Sequence, residues 1–361
     1  MIGKAHPIQV VNLTLLELSA DGTKVIDDFG YVIHGDRLPG YRTLEGPKLY
    51  QRNGWYYVFA PAGGVAPGWQ SVFRAKNIRG PYEDRIVLAQ GATPVNGPHQ
   101  GALLDTPSGE WWFLHFQDKD AYGRIVHLQP VRWVDDWPLM GTGVATGAVK
   151  GEPVLVHPKP ALPPQPIAVP PTSDEFESPV LGLQWQWQTN PCDDWLSLTA
   201  RPGALRLFAQ SEPKPGNLYD APYLLMQKFP ALEFSATALL SARAGESQTG
   251  LIVFGFDYAW IGLRGGRLVQ VTVKNAADKP VVTEQTAAES ITGPVHLRVE
   301  VVAGAKCRFS YSLDGRAFTP LGGEFTARED RWVGAKVGLF AAGHAGASAD
   351  YDWLRVGPPL H

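Results

Sequence analysis

The sequence predicts an all-β protein of two parts, a series of blade-like hairpin sheets followed by a two-sheet sandwich. Three observations carry this. A chain of 361 residues exceeds one ordinary domain and favours two. Its 12 Trp, 12 Tyr and 15 Phe stand beside 39 Gly and 31 Pro, a composition of short strands broken by tight turns. Apolar residues alternate in short runs and show little helical periodicity.

Up to about residue 148 the chain reads as strand, turn, strand. "QVVNLTLLELS" leads to Asp21-Gly22, and "KLYQR" leads through Asn53-Gly54 into "WYYVFAP". Asp-Gly and Asn-Gly between β-rich runs are strong hairpin signals, and several in succession suggest a meander repeated as blades. Residues 149–173 form a connector, with eight prolines between 151 and 175 that cannot donate to a sheet ladder and favour extended geometry. From 174 to 361 the style changes: "GLIVFGFDY", "RLVQVTVK", "VHLRVEVVAG" and "KVGLFAAG" alternate strictly at spacings expected of a sandwich, read as a lectin-type jelly-roll.

Charge and composition exclude some partners. A formal net charge of −3 with no lysine-arginine run offers no field for a phosphate backbone, so nucleic acid is not an expected partner. No stretch approaches the roughly 18 apolar residues of a membrane span. The amino terminus reads as a strand and not as a secretory leader, because Asn12, Thr14 and Glu17 interrupt its apolar run. The expected compartment is therefore the cytoplasm. Cys192 and Cys307 match no metal spacing and read as two buried free thiols, with a disulfide as the alternative.

"TLEGPKLYQRNGWYYVFAPAGGVAPGWQ", "NGPHQGALLDTPSGEWWFLHFQD" and "AYGRIVHLQPVRWVDDWPLMG" occur in this order. Together they resemble successive blades of glycoside hydrolase family 43, the five-bladed propellers that include β-xylosidases and α-L-arabinofuranosidases. "FSYSLDGRAFTPLG", "WVGAKVGLFAAG" and "ADYDWLRV" resemble the concanavalin-like sandwich appended to many members. The resemblance implies a partial propeller of about three blades, because the segments that normally precede this region, with the second catalytic carboxylate and a tuning aspartate, have no counterpart here. It also implies action on arabinose- or xylose-containing hemicellulose, a plant-cell-wall oligosaccharide.

The same resemblance assigns Glu45, the glutamate before Gly46-Pro47, as general acid. Trp55 and Tyr57 are expected beside it as desolvating walls. A turn glutamate accepting backbone N–H bonds is the competing reading. Arg124 in "YGRIVHL" matches a substrate-contacting arginine, where a guanidinium fork can bind hydroxyls; a strand-end salt bridge is its alternative. His99 in "NGPHQG" matches a histidine near the propeller axis that holds a metal ion directly or through water, against the alternative of a hydrogen-bonded core histidine. His115 and Gln117, with His127 and Asp118 ranked below them, are candidates to line the same cavity. Trp69, on the glycine-rich loop "AGGVAPGW", is the preferred stacking platform for a sugar ring.

An inverting glycosidase needs a second carboxylate about 6.5–9.5 Å from its acid. Asp36 in "HGDRLPG" is the best remaining candidate, since Asp21, Asp27 and Asp28 have turn and strand-end readings. In related sandwiches calcium joins the first and last strands, and Asp174, Glu175 and Asp352 offer the oxygen ligands it prefers. Exposed faces of a partial propeller predict a homo-oligomer. Three functions compete: a glycosidase using Glu45, a carbohydrate-binding protein without turnover, and a hydrolase of another bond such as an acetyl ester. For the last, no G-x-S-x-G elbow is present and Ser71 and Ser108 lack an evident base.

Overall fold

The computed structural model describes residues 11–143, 150–244 and 247–359. Two compact units divide the chain: residues 1–118 with 124–166, and residues 119–123 with 167–361. The division falls at 166/167, inside the proline-rich stretch, so the first half of the expected connector belongs to the first unit. Helical structure among the described residues is limited to three short 3-10 turns, and no helix is long and apolar enough to cross a membrane.

The first unit contains three sheets. Strands β1 (Asn12–Leu18) and β2 (Val25–His34) form an antiparallel pair. Strands β3 (Lys48–Arg52), β4 (Trp55–Ala62), β5 (Trp69–Ala75) and β6 (Glu83–Ala89) form an antiparallel meander. The third sheet repeats the meander with β7 (His99–Asp105), β8 (Trp111–Asp118), β9 (Arg124–Val134) and β10 (Trp137–Met140). The chain then returns to the second sheet: β11 (Thr142–Gly143) pairs with β12 (Gly151–Glu152), which pairs parallel to β6. Residues 151–152, read from sequence as connector, are thus the edge of a blade.

The blades are held face to face by their aromatic strands. Tyr57, Phe59 and Val72 of the second sheet pack with Phe113, Val131 and Trp137 of the third in one buried cluster, while Leu13 and Ile33 of the first pack with Tyr41, Leu44 and Phe73. Burying each large side chain of this kind is worth about 1.5–3 kcal/mol. Asn53 and Gly54 both take positive φ, 50° and 72°, the two-residue turn that their sequence predicts between β3 and β4.

The second unit is a sandwich of a seven-stranded and an eight-stranded sheet. Strict alternation does what it predicts. In Val295–Val302, Val295, Leu297, Val299 and Val301 are fully buried between the sheets, while His296, Arg298 and Glu300 face outward. Cys307 is buried and free, whereas Cys192, also free, is exposed, which corrects the expectation of two buried thiols. Cys192 precedes the surface turn Asp193–Trp195, where nothing covers it.

Candidate active site

Glu45 sits where the chain enters the second blade. Leu44 before it is fully buried, which anchors the segment, and Gly46 after it adopts φ 57° to begin the turn into β3. The Glu45 N–H donates to Pro61 O at 3.2 Å, placing the residue at the outgoing end of β4. Its half-buried carboxylate accepts a hydrogen bond from Gln100 Nε2 at 2.7 Å. Gln100 lies in a register irregularity of β7 between His99 and Ala102, with φ 52°.

That placement corrects the expected aromatic walls. Trp55 pairs with Arg52 at the hairpin end of β4, six residues from Pro61 or about 20 Å along the strand. There Trp55 Nε1 donates to Asp136 Oδ2 at 3.3 Å, and Tyr57 OH donates to Asp136 O at 2.8 Å, so neither flanks Glu45. The aromatic side chain at the Glu45 end is Trp69. It pairs with Ala62 across the ladder, donates Nε1 to Ser71 Oγ at 3.0 Å and meets Tyr41 edge-on at 5.8 Å.

Arg124 and His99 share Phe116. The Arg124 guanidinium lies 4.5 Å from the Phe116 centroid, and the His99 ring is 5.0 Å from it. His99 Nδ1 lies 2.8 Å from Gly97 O and therefore carries the proton. Burial pushes the His99 pKa down to about 4, the Gly97 carbonyl opposing and the Arg124 charge adding to the fall.

His115 is also buried, stacked on His127 at 5.3 Å and 12°, and burial holds its pKa near 4. A ring so covered lies in the blade interior. Gln117 is committed as well: its amide donates to Asn96 Oδ1 at 2.8 Å and Pro94 O at 2.9 Å, and its oxygen meets His127 Nε2 at 3.2 Å. Asn96 in turn donates to Ala66 O at 3.3 Å, so Gln117 supports the loop before β7 and the glycine-rich loop before Trp69.

Asp36 lies on the 3-10 turn Gly35–Arg37. Its N–H donates to Asn12 Oδ1 at 3.2 Å and its Oδ1 is 3.9 Å from His34 Nδ1. The structure therefore brings Glu45, Gln100 and Trp69 to one end of the second blade, and places Asp36 in a separate set of contacts. Gln100 is not among the residues that the sequence singles out. Its signal is the run Gly97-Pro98-His99-Gln100-Gly101, whose glycines and proline announce an irregular strand start.

The residues expected to hold ions are engaged with other protein groups. No three His, Cys, Asp or Glu side chains among the described residues converge to hold a metal. Around His99 lie the Phe116 ring, the Gly97 carbonyl and the Arg124 guanidinium, with His115 near enough to feel its charge. In the sandwich, Glu175 makes a bidentate pair with Arg355 at 2.8 and 2.9 Å, Asp352 pairs with Arg201 at 3.1 Å, and Asp174 accepts from Phe176 N and Trp185 Nε1, both at 2.8 Å. Each of the three carboxylates thus has a protein donor, while the bridge between Asp174 and Leu354 ties the start of the sandwich to its last strand.

Propeller blades presenting a carboxylate at a strand end, joined to a concanavalin-like sandwich, define a class of carbohydrate-active proteins. Comparison makes the class specific. Residues 2–138 match the model described as glycosyl hydrolases family 43, and residues 173–357 match the β-xylosidase C-terminal concanavalin A-like domain. The chain belongs to glycoside hydrolase family 43, with that family's C-terminal sandwich. It is 38% identical over 325 residues to a putative β-xylosidase of Xylanibacter ruminicola, covering 89% of this chain and 58% of the relative. It is 27% identical over 345 residues to a non-reducing end α-L-arabinofuranosidase of Bacteroides ovatus, covering 87% of this chain and 63% of the relative. The crystal structure of a family 43 protein from Bacillus licheniformis superposes with a TM-score of 0.81 at 28% identity, covering 96% of this chain and 71% of that one. The chain thus spans about three-fifths of the length of these curated relatives.

Proposed function

We propose that this protein acts on arabinose- or xylose-containing plant-cell-wall saccharides as a glycoside hydrolase, with Glu45 as the proton donor to the departing glycosidic oxygen. The observation that carries the reading is the Glu45–Gln100 hydrogen bond. The carboxyl is oriented by a neutral amide and by its own backbone, leaving its second oxygen to meet a leaving group. Trp69, at the same end of the blade, supplies an apolar ring face with a polar edge for a sugar. Asp36 is the candidate to activate water. Arg124 is proposed to contact the substrate.

Saccharide binding without turnover is the second reading. It is favoured by the contacts of Asp36, which link it to Asn12 and His34 and not to Glu45. Ester hydrolysis finds no nucleophile at these serines: Ser71 is fully buried and donates to Tyr41 OH at 3.2 Å, and Ser108 bonds to Thr106 and Glu110.

Homo-oligomerisation is proposed from the first sheet, where Leu16, Leu18, Val25, Ile26 and Tyr31 are all exposed. A monomeric mass by light scattering across a concentration series would remove it.

The test is turnover of aryl xyloside, aryl arabinofuranoside and aryl acetate by the wild type, Glu45→Gln and Asp36→Asn. General acid catalysis is worth about 10²–10⁴ in rate. Glu45→Gln should therefore lose that much on a glycoside with a poor leaving group, and far less on one whose leaving group needs no proton. Equal losses on both would remove Glu45 from the acid role, and saccharide binding with no turnover would establish the second reading.

A further inference from the structure

The outward face of the eight-stranded sheet carries a cationic, aromatic cavity of about 360 Å³ that the reaction does not use. Three strands build it in register. Thr237 lies opposite Arg298 on one side and Arg355 on the other, and Leu239 lies opposite His296 and Trp353. Phe318 closes one flank, its ring 6.5 Å from that of His296, which is 5.7 Å from that of Trp353.

Arg298 is the centre of this cavity. It is half-buried, its Nε donates to Thr237 Oγ1 at 3.0 Å, and its Cζ lies 3.3 Å from the Phe318 centroid. Besides this bond, the charge that acts on its guanidinium is Glu300, two residues along the same strand. Burial draws the guanidinium pKa below its ordinary value, with Glu300 acting in the opposite direction. Arg355, by contrast, is held by Glu175 through two hydrogen bonds while covering Trp353 at 4.2 Å. A partly desolvated guanidinium lining a cavity, flanked by aromatic rings, is matched by a planar carboxylate attached to a ring that can stack. The sheet also leaves His296 Nδ1 buried without a partner.

We propose that this face of the sandwich binds a carboxylate-bearing saccharide, a uronic-acid sugar, with Arg298 receiving the carboxylate and Trp353 and Phe318 bordering the sugar ring. The inference rests on the saccharide reading given above and adds a second, non-catalytic site with its own selectivity. No bond is made or broken there.

The test is calorimetric titration of the full chain with xylotriose carrying one glucuronic acid, with unsubstituted xylotriose, and with inorganic phosphate. The acidic sugar should bind at least about tenfold more tightly than the neutral one, the scale of one charge-assisted fork. Arg298→Gln should abolish that preference, Trp353→Ala should weaken the acidic sugar, Arg298→Lys should retain part of the preference, and circular dichroism should confirm folding of each. Equal affinity for the charged and neutral sugars, or a preference that survives Arg298→Gln, overturns the proposal. Displacement of the acidic sugar by phosphate with no effect of Trp353→Ala would show an anion site only, which also overturns it. Aryl-glycoside turnover by the same preparations separates the two readings: Glu45→Gln should change turnover and not this binding, and Arg298→Gln the reverse.

Discussion

Gln100 Nε2 donates to Glu45 Oε1 at 2.7 Å from a backbone held at φ 52°, joining the start of the third blade to the entry of the second. A non-glycine residue in the left-handed region costs energy that the surrounding structure must offset, and such positions cluster where a side chain has to be aimed. Here the strained residue aims an amide at the carboxyl proposed for proton transfer.

Gln100→Ala should therefore lower kcat/KM on aryl glycosides by about tenfold or more while changing unfolding free energy by less than about 1 kcal/mol. The small stability change is expected because one hydrogen bond is lost at a half-buried site. Kinetics and urea unfolding on the same variant check both halves; wild-type kinetics would leave Gln100 without a positioning role.

Gly97 supports the same region from below. It adopts φ 49°, and a Cβ there would stand 2.0 Å from Val65 O and 2.7 Å from Ala66 O. Gly97→Ala should destabilise the protein by about 2 kcal/mol or more and weaken saccharide binding, because the loop before Trp69 must move. A wild-type urea midpoint would show that the two loops part at no cost.

His99 and His115 make stability depend on pH. Burial depresses both pKa values from 6.5 to about 4, so the folded protein keeps them neutral. Between about pH 4 and 6.5 the unfolded chain binds protons that the folded chain does not. Stability therefore rises with pH through this window and is lost as pH falls, by on the order of 2–3 kcal/mol per histidine. His115→Phe should flatten the slope measured by urea unfolding at pH 4.5 and 7, and an unchanged slope would contradict the assignment.

The two thiols should differ sharply. Cys192 is exposed, while burial raises the Cys307 pKa to about 12. A thiol reagent should titrate one cysteine in the native protein and two after unfolding, and Cys192→Ser should abolish the native reaction. Two rapid native equivalents would place Cys307 in an opening segment.

Much of the architecture was legible because it is written in local signals. The Asn53-Gly54 turn, the alternation of Val295–Val302 and the order of the blade motifs each depend on residues near one another in the chain. The connector differs from its expected start: Gly151 pairs with Leu88, sixty-three positions earlier in the numbering, and no neighbouring residue announces that contact.

The all-β class, the propeller-then-sandwich order, the family and the candidacy of Glu45 are readable from the residues alone, because strand period, turn chemistry and motif order are properties of short stretches. What surrounds each side chain emerges with the folded arrangement. It gave Glu45 Gln100 in place of Trp55 and Tyr57, buried His115 within a blade, committed Gln117 to a loop, and dispersed Asp174, Glu175 and Asp352 among other partners. The physical reason is that a side chain's chemistry is set by groups brought near it through strand register and sheet packing, and those groups come from distant parts of the chain.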